Sequence, residues 1–199
     1  MIAVDAVVAL VPARVLRGTA KLQAALRRFG VSVSRRVCLD VGAAAGGFTA
    51  ALLMAGARKV YAVDVGYGQL LGRFRQDQRV VNLERTNLAD LDCGLVPEAV
   101  GVICLDLSYL ALSAAIPQLA SITLSPDAQL IALVKPTFEL HASAMITDGE
   151  AIDKAVAVAK VAAESCGWSV EDRAVGVRGG GGAPEVFIYG TQRPAAGRP

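Results

Sequence analysis

Four ionisable side chains close apolar runs: Asp40 after Val37-Cys38-Leu39, Asp64 after Val60-Tyr61-Ala62-Val63, Asp106 after Val102-Ile103-Cys104-Leu105, and Lys135 after Leu130-Ile131-Ala132-Leu133-Val134. Short apolar runs bounded by turn residues read as buried strands. At the carboxyl ends of parallel strands these groups would share one edge of a sheet, which is where open α/β sheets bind ligands. After Asp40 the chain continues Val41-Gly42-Ala43-Ala44-Ala45-Gly46-Gly47-Phe48-Thr49. Gly and Ala in such a loop let a ligand approach the backbone N–H groups. Asp64, closing the second strand, is placed to accept hydrogen bonds from ribose hydroxyls. The spacing Gly-x-x-x-Gly-Gly differs from the Gly-x-Gly-x-x-Gly of dinucleotide enzymes. It points away from NAD and towards S-adenosylmethionine (SAM), which has a ribose but no pyrophosphate. A glycine loop can also serve helix–strand packing alone, and by itself it leaves both readings open.

These residues need a frame to hold them together. Hydrophobic period and breakers predict strands at 36–41, 59–64, 80–83, 101–105, 129–134, 169–177 and 186–189. Helices are expected at 14–29, stopped by Gly30, and at 47–54, 69–76, 108–120 and 150–165. A turn is expected at Ser125-Pro126-Asp127, a long loop over the site at 137–146, and a disordered tail at 191–199. Strands alternating with helices imply an α/β fold with a mostly parallel seven-stranded sheet and helices on both faces.

A chain of 199 residues suits one domain with a full core. No apolar run reaches the roughly 18 to 20 residues of a membrane helix, and no basic start precedes an apolar segment as in a signal peptide. The expectation is a soluble, cytoplasmic protein with no membrane partner. Net charge is only +2, but between Asp5 and Asp40 there is no acid, while Arg14, Arg17, Lys21, Arg27, Arg28, Arg35 and Arg36 all fall there. Such a face could meet RNA phosphates or simply be solvated. Cys38, Cys93, Cys104 and Cys166 have neither metal-ligand nor disulfide spacing. They read as reduced, and no metal site is expected. The single histidine, His141, has no Ser or Cys partner in the pattern and reads as a loop residue.

The chain resembles the catalytic domain of the TlyA family, ribosomal RNA ribose 2′-O-methyltransferases with an FtsJ-like core. The resemblance rests on Arg17-Gly18-x-x-Lys21-Leu22, on Asp40-Val41-Gly42-Ala43-x-x-Gly46-Gly47-Phe48-Thr49, and on the run from Val60 through Asp64 and Gly66-Tyr67-Gly68 to Glu84-Arg85-Thr86-Asn87. It continues with Asp106-Leu107-Ser108, Lys135-Pro136-x-Phe138-Glu139 and Glu185. The resemblance implies a Rossmann-like class I SAM-dependent methyltransferase fold over 17–190, preceded by a short extension at 1–16. It implies a last strand antiparallel to the others. A Lys-Asp-Lys-Glu catalytic tetrad falls on Lys21, Asp106, Lys135 and Glu185. Cofactor contacts fall on Asp40, Gly42, Gly46, Gly47 and Phe48 in the loop region, on Asp64 at the ribose, Asn87 near the adenine, and Asp106 near the methionine end. An S4-like RNA-binding module usually precedes this domain in the family, and the residues before Arg17 are too few to form one. Ala44-Ala45 stands where the family has Ser-Thr, and Gly182-Ala183-Pro184-Glu185 where it has Gly-Asn-x-Glu.

The implied chemistry needs these residue types. A sugar hydroxyl is a weak acid and a poor nucleophile, so an enzyme must align an in-line attack and remove one proton. Lys135 is the expected base, helped to its neutral form by burial and by the positive charge of Lys21 and the sulfonium. Asp106 and Glu185 would hold the two lysines. The expected activity is 2′-O-methylation of structured, ribosomal RNA. The alternative is methylation of a small molecule by the same fold, and further alternatives are a non-catalytic SAM- or RNA-binding protein and, remotely, an NAD oxidoreductase.

Overall fold

The computed structural model describes residues 16–175 and 178–193. Arg14, residues 176–177 of the expected strand and most of the expected tail lie outside them. The strands are β1 (Val37–Val41), β2 (Lys59–Asp64), β3 (Val80–Glu84), β4 (Val100–Leu105), β5 (Leu124–Val134), β6 (Trp168–Val175) and β7 (Val186–Gln192). They form one sheet in the order β3-β2-β1-β4-β5-β7-β6. β1 to β5 pair in parallel, while β7 is antiparallel to both β5 and β6. The strand order reverses between β1 and β4, the position at which doubly wound sheets open a ligand crevice.

The central strands are apolar on both faces because both are covered. Along β1, Val37, Leu39 and Val41 enter one core and Cys38 the other. The first core is covered by α6 (Gly149–Ser165), by α4 (Leu112–Ala115) and by a 3₁₀ turn, Ile116–Ser121. Asp148 starts α6 by accepting a 2.9 Å hydrogen bond from Ala151 N, and Ala155, Val156, Ala159 and Ala163 form its buried stripe. The second core is covered by α1 (Arg17–Phe29) and α2 (Gly47–Met54). Leu22, Ala25 and Leu26 line the buried face of α1, and each leucine there contributes about 1.5–3 kcal/mol of burial. Gly30, at φ 66°, ends the helix with its N–H on Arg27 O.

Several expected elements differ. The helix expected at 69–76 is only α3 (Gly72–Arg75), because the Glu84 carboxylate holds the Gln69 and Leu70 N–H groups at 2.7 and 3.1 Å. The helix expected at 108–120 breaks into α4 and the 3₁₀ turn, where Pro117 cannot donate to an α-helical ladder. Ser125-Pro126-Asp127 does not turn the chain. It is absorbed inside β5 as an irregularity, with Leu124 opposite Val100 and Gln129 opposite Val102. The stretch expected as a loop over the site begins with a helical turn, α5 (Pro136–Glu139), and Glu139 is buried rather than facing a ligand. Thr191 and Gln192, expected in the tail, belong to β7 and pair with Ser169 and Trp168.

Candidate active site

The carboxyl edge of the sheet collects the charged groups. β7 runs against β5 with Val134 opposite Val186, so Lys135 and Glu185, each one residue outside that pair, face each other at the edge. β4 ends beside β1, and Asp106 N donates to Val41 O at 3.0 Å. Two ion pairs result. Lys135 Nζ lies 2.7 Å from Asp106 Oδ1 and donates to Ser108 Oγ at 2.8 Å. Lys21, on the buried face of α1, pairs with Glu185, and the side chains of this second pair are only 9% and 8% exposed. All four residues of the expected tetrad therefore stand at one edge, joined two by two.

Two small cavities flank the Asp106–Lys135 pair. One, of about 190 Å³, is lined by Ser108, Lys135, Pro136, Thr137, Phe138 and Ala183 to Glu185. The other, also about 190 Å³, is lined by Gly42 to Ala45, Gly47, Phe48 and Asp106, with Leu16, Arg17 and Gly18 closing it from α1. Asp106 lines the second while its partner Lys135 lines the first. A larger cavity of about 690 Å³ lies between α1, α2 and α3, but neither ion pair lines it.

The loop between β1 and α2 is shaped by contacts that only small residues permit. Gly42 has φ 87°, and a Cβ there would overlap the Asp106 carbonyl. Gly18 and Gly47 bring the amino ends of α1 and α2 together: a Cβ on Gly47 would lie 2.9 Å from Gly18 Cα, and Thr19 Oγ1 donates to Gly47 O at 3.0 Å. Asp64 pins the loop from the next strand, accepting from Ala44 N at 2.8 Å and Gly66 N at 2.7 Å. Asn87 is exposed and precedes a 3₁₀ turn, Leu88–Asp90. Asp64 and Asn87 stand along the same edge but do not line the loop cavity.

Asp40 is placed differently from expectation. It is not at the edge but inside β1, fully buried beneath the loop. Its Oδ2 accepts a 2.6 Å hydrogen bond from Thr49 Oγ1, and Oδ1 has no partner. Burial pushes its carboxyl up to about 7; the Thr49 hydrogen bonds oppose this, and the charges of Asp106 and Asp64 add to it. Asp40 lies beneath the loop and does not line the loop cavity. The residues present fit SAM: the Asp106 carboxylate in the cavity and Asp64 at the neighbouring strand end suit a cationic ligand carrying a ribose and would repel a pyrophosphate.

The basic face does not hold together. α1 runs antiparallel to β1, and its 13 residues rise about 18 Å, so Arg17 is at the site edge while Arg27 and Arg28 are at the far end. Arg35 and Arg36 precede β1 at the amino edge. Arg36 is engaged there by Gly101 O at 3.1 Å, Asp127 O at 3.2 Å and the Asp127 carboxylate. Among the described arginines of that set, only Arg17 lines either of the two small cavities.

Other groups were not singled out by sequence reasoning. Ser108 was visible in the Asp-Leu-Ser run, but its contact with Lys135 was not. Tyr67, 68% exposed, carries Arg85 over its ring at 3.9 Å, and Tyr109 is exposed beside the same edge. Glu139 caps α4 by accepting from Leu112 N and Ser113 N; Pro136 three residues earlier was the available signal for a helical turn. Cys38 and Cys104 are buried, with burial pushing the Cys38 thiol up to about 12, while Cys93 and Cys166 are exposed and all four are free. His141 is exposed. Among the described residues there is no metal-binding group and no helix long and apolar enough to cross a membrane.

Comparison with known proteins bears on the family and the fold. The model of the FtsJ-like methyltransferase family matches residues 14–171. The 16S/23S rRNA (cytidine-2′-O)-methyltransferase TlyA of Mycobacterium tuberculosis is 43% identical over 185 residues, covering 88% of this chain and 67% of its own. A solved structure from Streptococcus thermophilus carried under the name hemolysin superposes with a TM-score of 0.85 at 33% identity, over 91% of this chain and 68% of that one. A structure from Listeria monocytogenes carried under the name S-adenosylmethionine dependent methyltransferase superposes with a TM-score of 0.62 at 14% identity, over 87% of this chain and 99% of that one, a likeness of fold.

Proposed function

Because this chain belongs to the FtsJ-like methyltransferase family and is a SAM-dependent methyltransferase, we propose that it methylates a ribose 2′-hydroxyl of ribosomal RNA. The reading rests above all on the Asp106–Lys135 ion pair, whose two members line two neighbouring cavities, with the Lys21–Glu185 pair at the same edge. SAM, when bound, supplies a methyl group already activated by its sulfonium. Gly42 to Phe48 and Asp106 would hold its methionine end, Asp64 its ribose and Asn87 its adenine.

The acceptor hydroxyl would enter between Ser108, Lys135 and Pro184. Lys135 Nζ removes its proton as the oxygen attacks, and Asp106 Oδ1 fixes the position of that nitrogen. Glu185 holds Lys21 in place without leaving an unpaired buried charge. General-base assistance of this kind contributes about 10²–10⁴ in rate. Exposed Tyr67 under Arg85, and Tyr109, offer flat faces of the type on which unstacked RNA bases rest. Arg17 supplies a phosphate contact at the mouth.

The test is methyl transfer from labelled SAM to ribosomal subunits and, in parallel, to a small-molecule extract. The proposal expects label in ribosomal RNA as a 2′-O-methyl nucleoside. Label confined to the small-molecule fraction would replace the RNA reading with a biosynthetic one.

A further inference from the structure

Asp40 is a buried carboxyl that the transfer step does not use. It lies on the α2 face of β1, with Ala62 of β2 and Cys104 of β4 beside it in register. The ionisable groups facing it are the Cys38 thiol on its own strand, Cys104 and Asp106 from β4, and Asp64 from β2. α2 presents the Thr49 hydroxyl, and the sequence Gly47–Met54 contains no ionisable residue. The other two carboxylates have strong partners: Asp106 the Lys135 ammonium, and Asp64 two backbone N–H groups. Asp40 has the Thr49 hydroxyl on Oδ2, the Thr49 backbone N–H as a second donor, no hydrogen-bond partner on Oδ1, and no cation. A carboxyl in that setting holds its proton to higher pH than an exposed one, and a positive charge brought near it favours release.

The loop cavity, lined by Gly42 to Ala45 and by Asp106, sits at the end of the strand that carries Asp40. We propose that Asp40 distinguishes the methyl donor from the spent cofactor, holding a proton when the site is empty or filled by neutral S-adenosylhomocysteine and releasing it to solvent when cationic SAM binds. This rests on the SAM reading given above. Written out, the protonated carboxyl plus the sulfonium gives carboxylate, bound sulfonium and one proton in water. Methyl transfer turns the sulfonium into a neutral thioether, Asp40 takes a proton back from solvent, and the product loses an attraction that the substrate had. At a separation on the order of 10 Å and an effective dielectric near 20, one positive charge shifts the protonation balance about tenfold. Ionisation near neutral pH, where burial has moved this group, puts the effect in a measurable range.

The experiment is calorimetric titration of the full chain with SAM and with S-adenosylhomocysteine between pH 6 and 8, in pairs of buffers with different ionisation enthalpies. SAM binding should release a fraction of a proton near pH 7 and S-adenosylhomocysteine none. The ratio of SAM to S-adenosylhomocysteine affinity should rise up to about tenfold across that range. Any difference in how the two ligands' own amino groups titrate is common to parent and variants and cancels between them. Asp40→Asn should flatten the trend. Thr49→Val, which removes the one hydroxyl donor while keeping the side-chain shape, should move its midpoint to higher pH and serves if Asp40→Asn fails to fold. Equal proton release with both ligands, or an unchanged trend in either variant, overturns the proposal. If both ligands bind with a flat ratio, this inference alone fails; if neither binds at any pH, the cofactor reading fails with it.

Discussion

Gly42 joins the cofactor loop to the catalytic ion pair through backbone alone, and Gly42→Ala tests that joint without touching a polar group. Two costs follow from the structure. At φ 87° an alanine is in the left-handed region, which costs about 1–2 kcal/mol. Its Cβ would also lie 3.0 Å from Asp106 C, closer still to the carbonyl oxygen, and 3.3 Å from Leu107 Cδ2, an overpacking worth about 1–3 kcal/mol. The expected loss of stability is therefore about 2–5 kcal/mol, within what a domain of this size can carry. Relief requires β4's end to move by about 1 Å, and a displacement of that order at a reacting centre costs about 10²-fold in rate. Gly30→Ala is the control. It has a similar φ of 66° but nothing within 4 Å of the added carbon, so it should lose only the 1–2 kcal/mol of strain and none of the rate. Urea denaturation and single-turnover methyl transfer at saturating SAM, measured on the folded fraction, give both quantities. Equal destabilisation by the two substitutions, or a Gly42→Ala rate within threefold of the parent, would refute the coupling.

Other residues give shorter tests. Asp40 has a carboxyl raised from 3.8 to about 7, so the stability tied to its protonated form is fully present below pH 3.8 and is lost as pH rises through 7. Three units at about 1.4 kcal/mol each set an upper scale of about 4 kcal/mol; Asp40→Asn should gain in melting temperature relative to the parent from pH 5 to pH 8.5. Glu98 has the opposite sign: the Lys59 ammonium, with Arg58 and the Tyr61 hydroxyl, holds its carboxyl down at about 2. Its contribution is present above the ordinary carboxylate value and vanishes as pH falls to 2, so the melting difference of Glu98→Gln should shrink to nothing in acid. Glu139→Ala leaves the Leu112 and Ser113 N–H groups without their acceptor and should cost about 1–3 kcal/mol in denaturant titration. Arg17→Ala should weaken RNA binding and lower its salt slope by about one. Arg36→Ala should leave that slope unchanged, since its guanidinium is held by Asp127 and Gly101 at the opposite edge.

Strand ends were legible because a run such as Val60-Tyr61-Ala62-Val63 followed by Asp64 marks both the apolar interior and its boundary. That was enough to place Asp64, Asp106 and Lys135 along one edge. The sheet order was not, and the meeting of Lys21 with Glu185, 164 positions apart, depends on β7 running antiparallel, which the local pattern does not encode. Asp40 misled by type: an acid ending an apolar run reads as an edge group, yet here one more buried residue, Val41, follows it in the strand. The arginines between 17 and 36 misled by proximity in sequence, since a helix followed by a return to the sheet sends them to opposite ends of the fold. Short helical turns such as α5 show no period over four residues, and their signal is the proline that starts them rather than a hydrophobic stripe.

The most direct measurement is the effect of Lys135→Ala on two quantities at once: the affinity for SAM, and the single-turnover rate of methyl transfer to ribosomal RNA. The account predicts a dissociation constant within about threefold of the parent and a rate lower by about 10²–10⁴. Parallel loss of both would make Lys135 a binding residue, and an undiminished rate would remove the Lys135–Asp106 pair from the chemistry altogether.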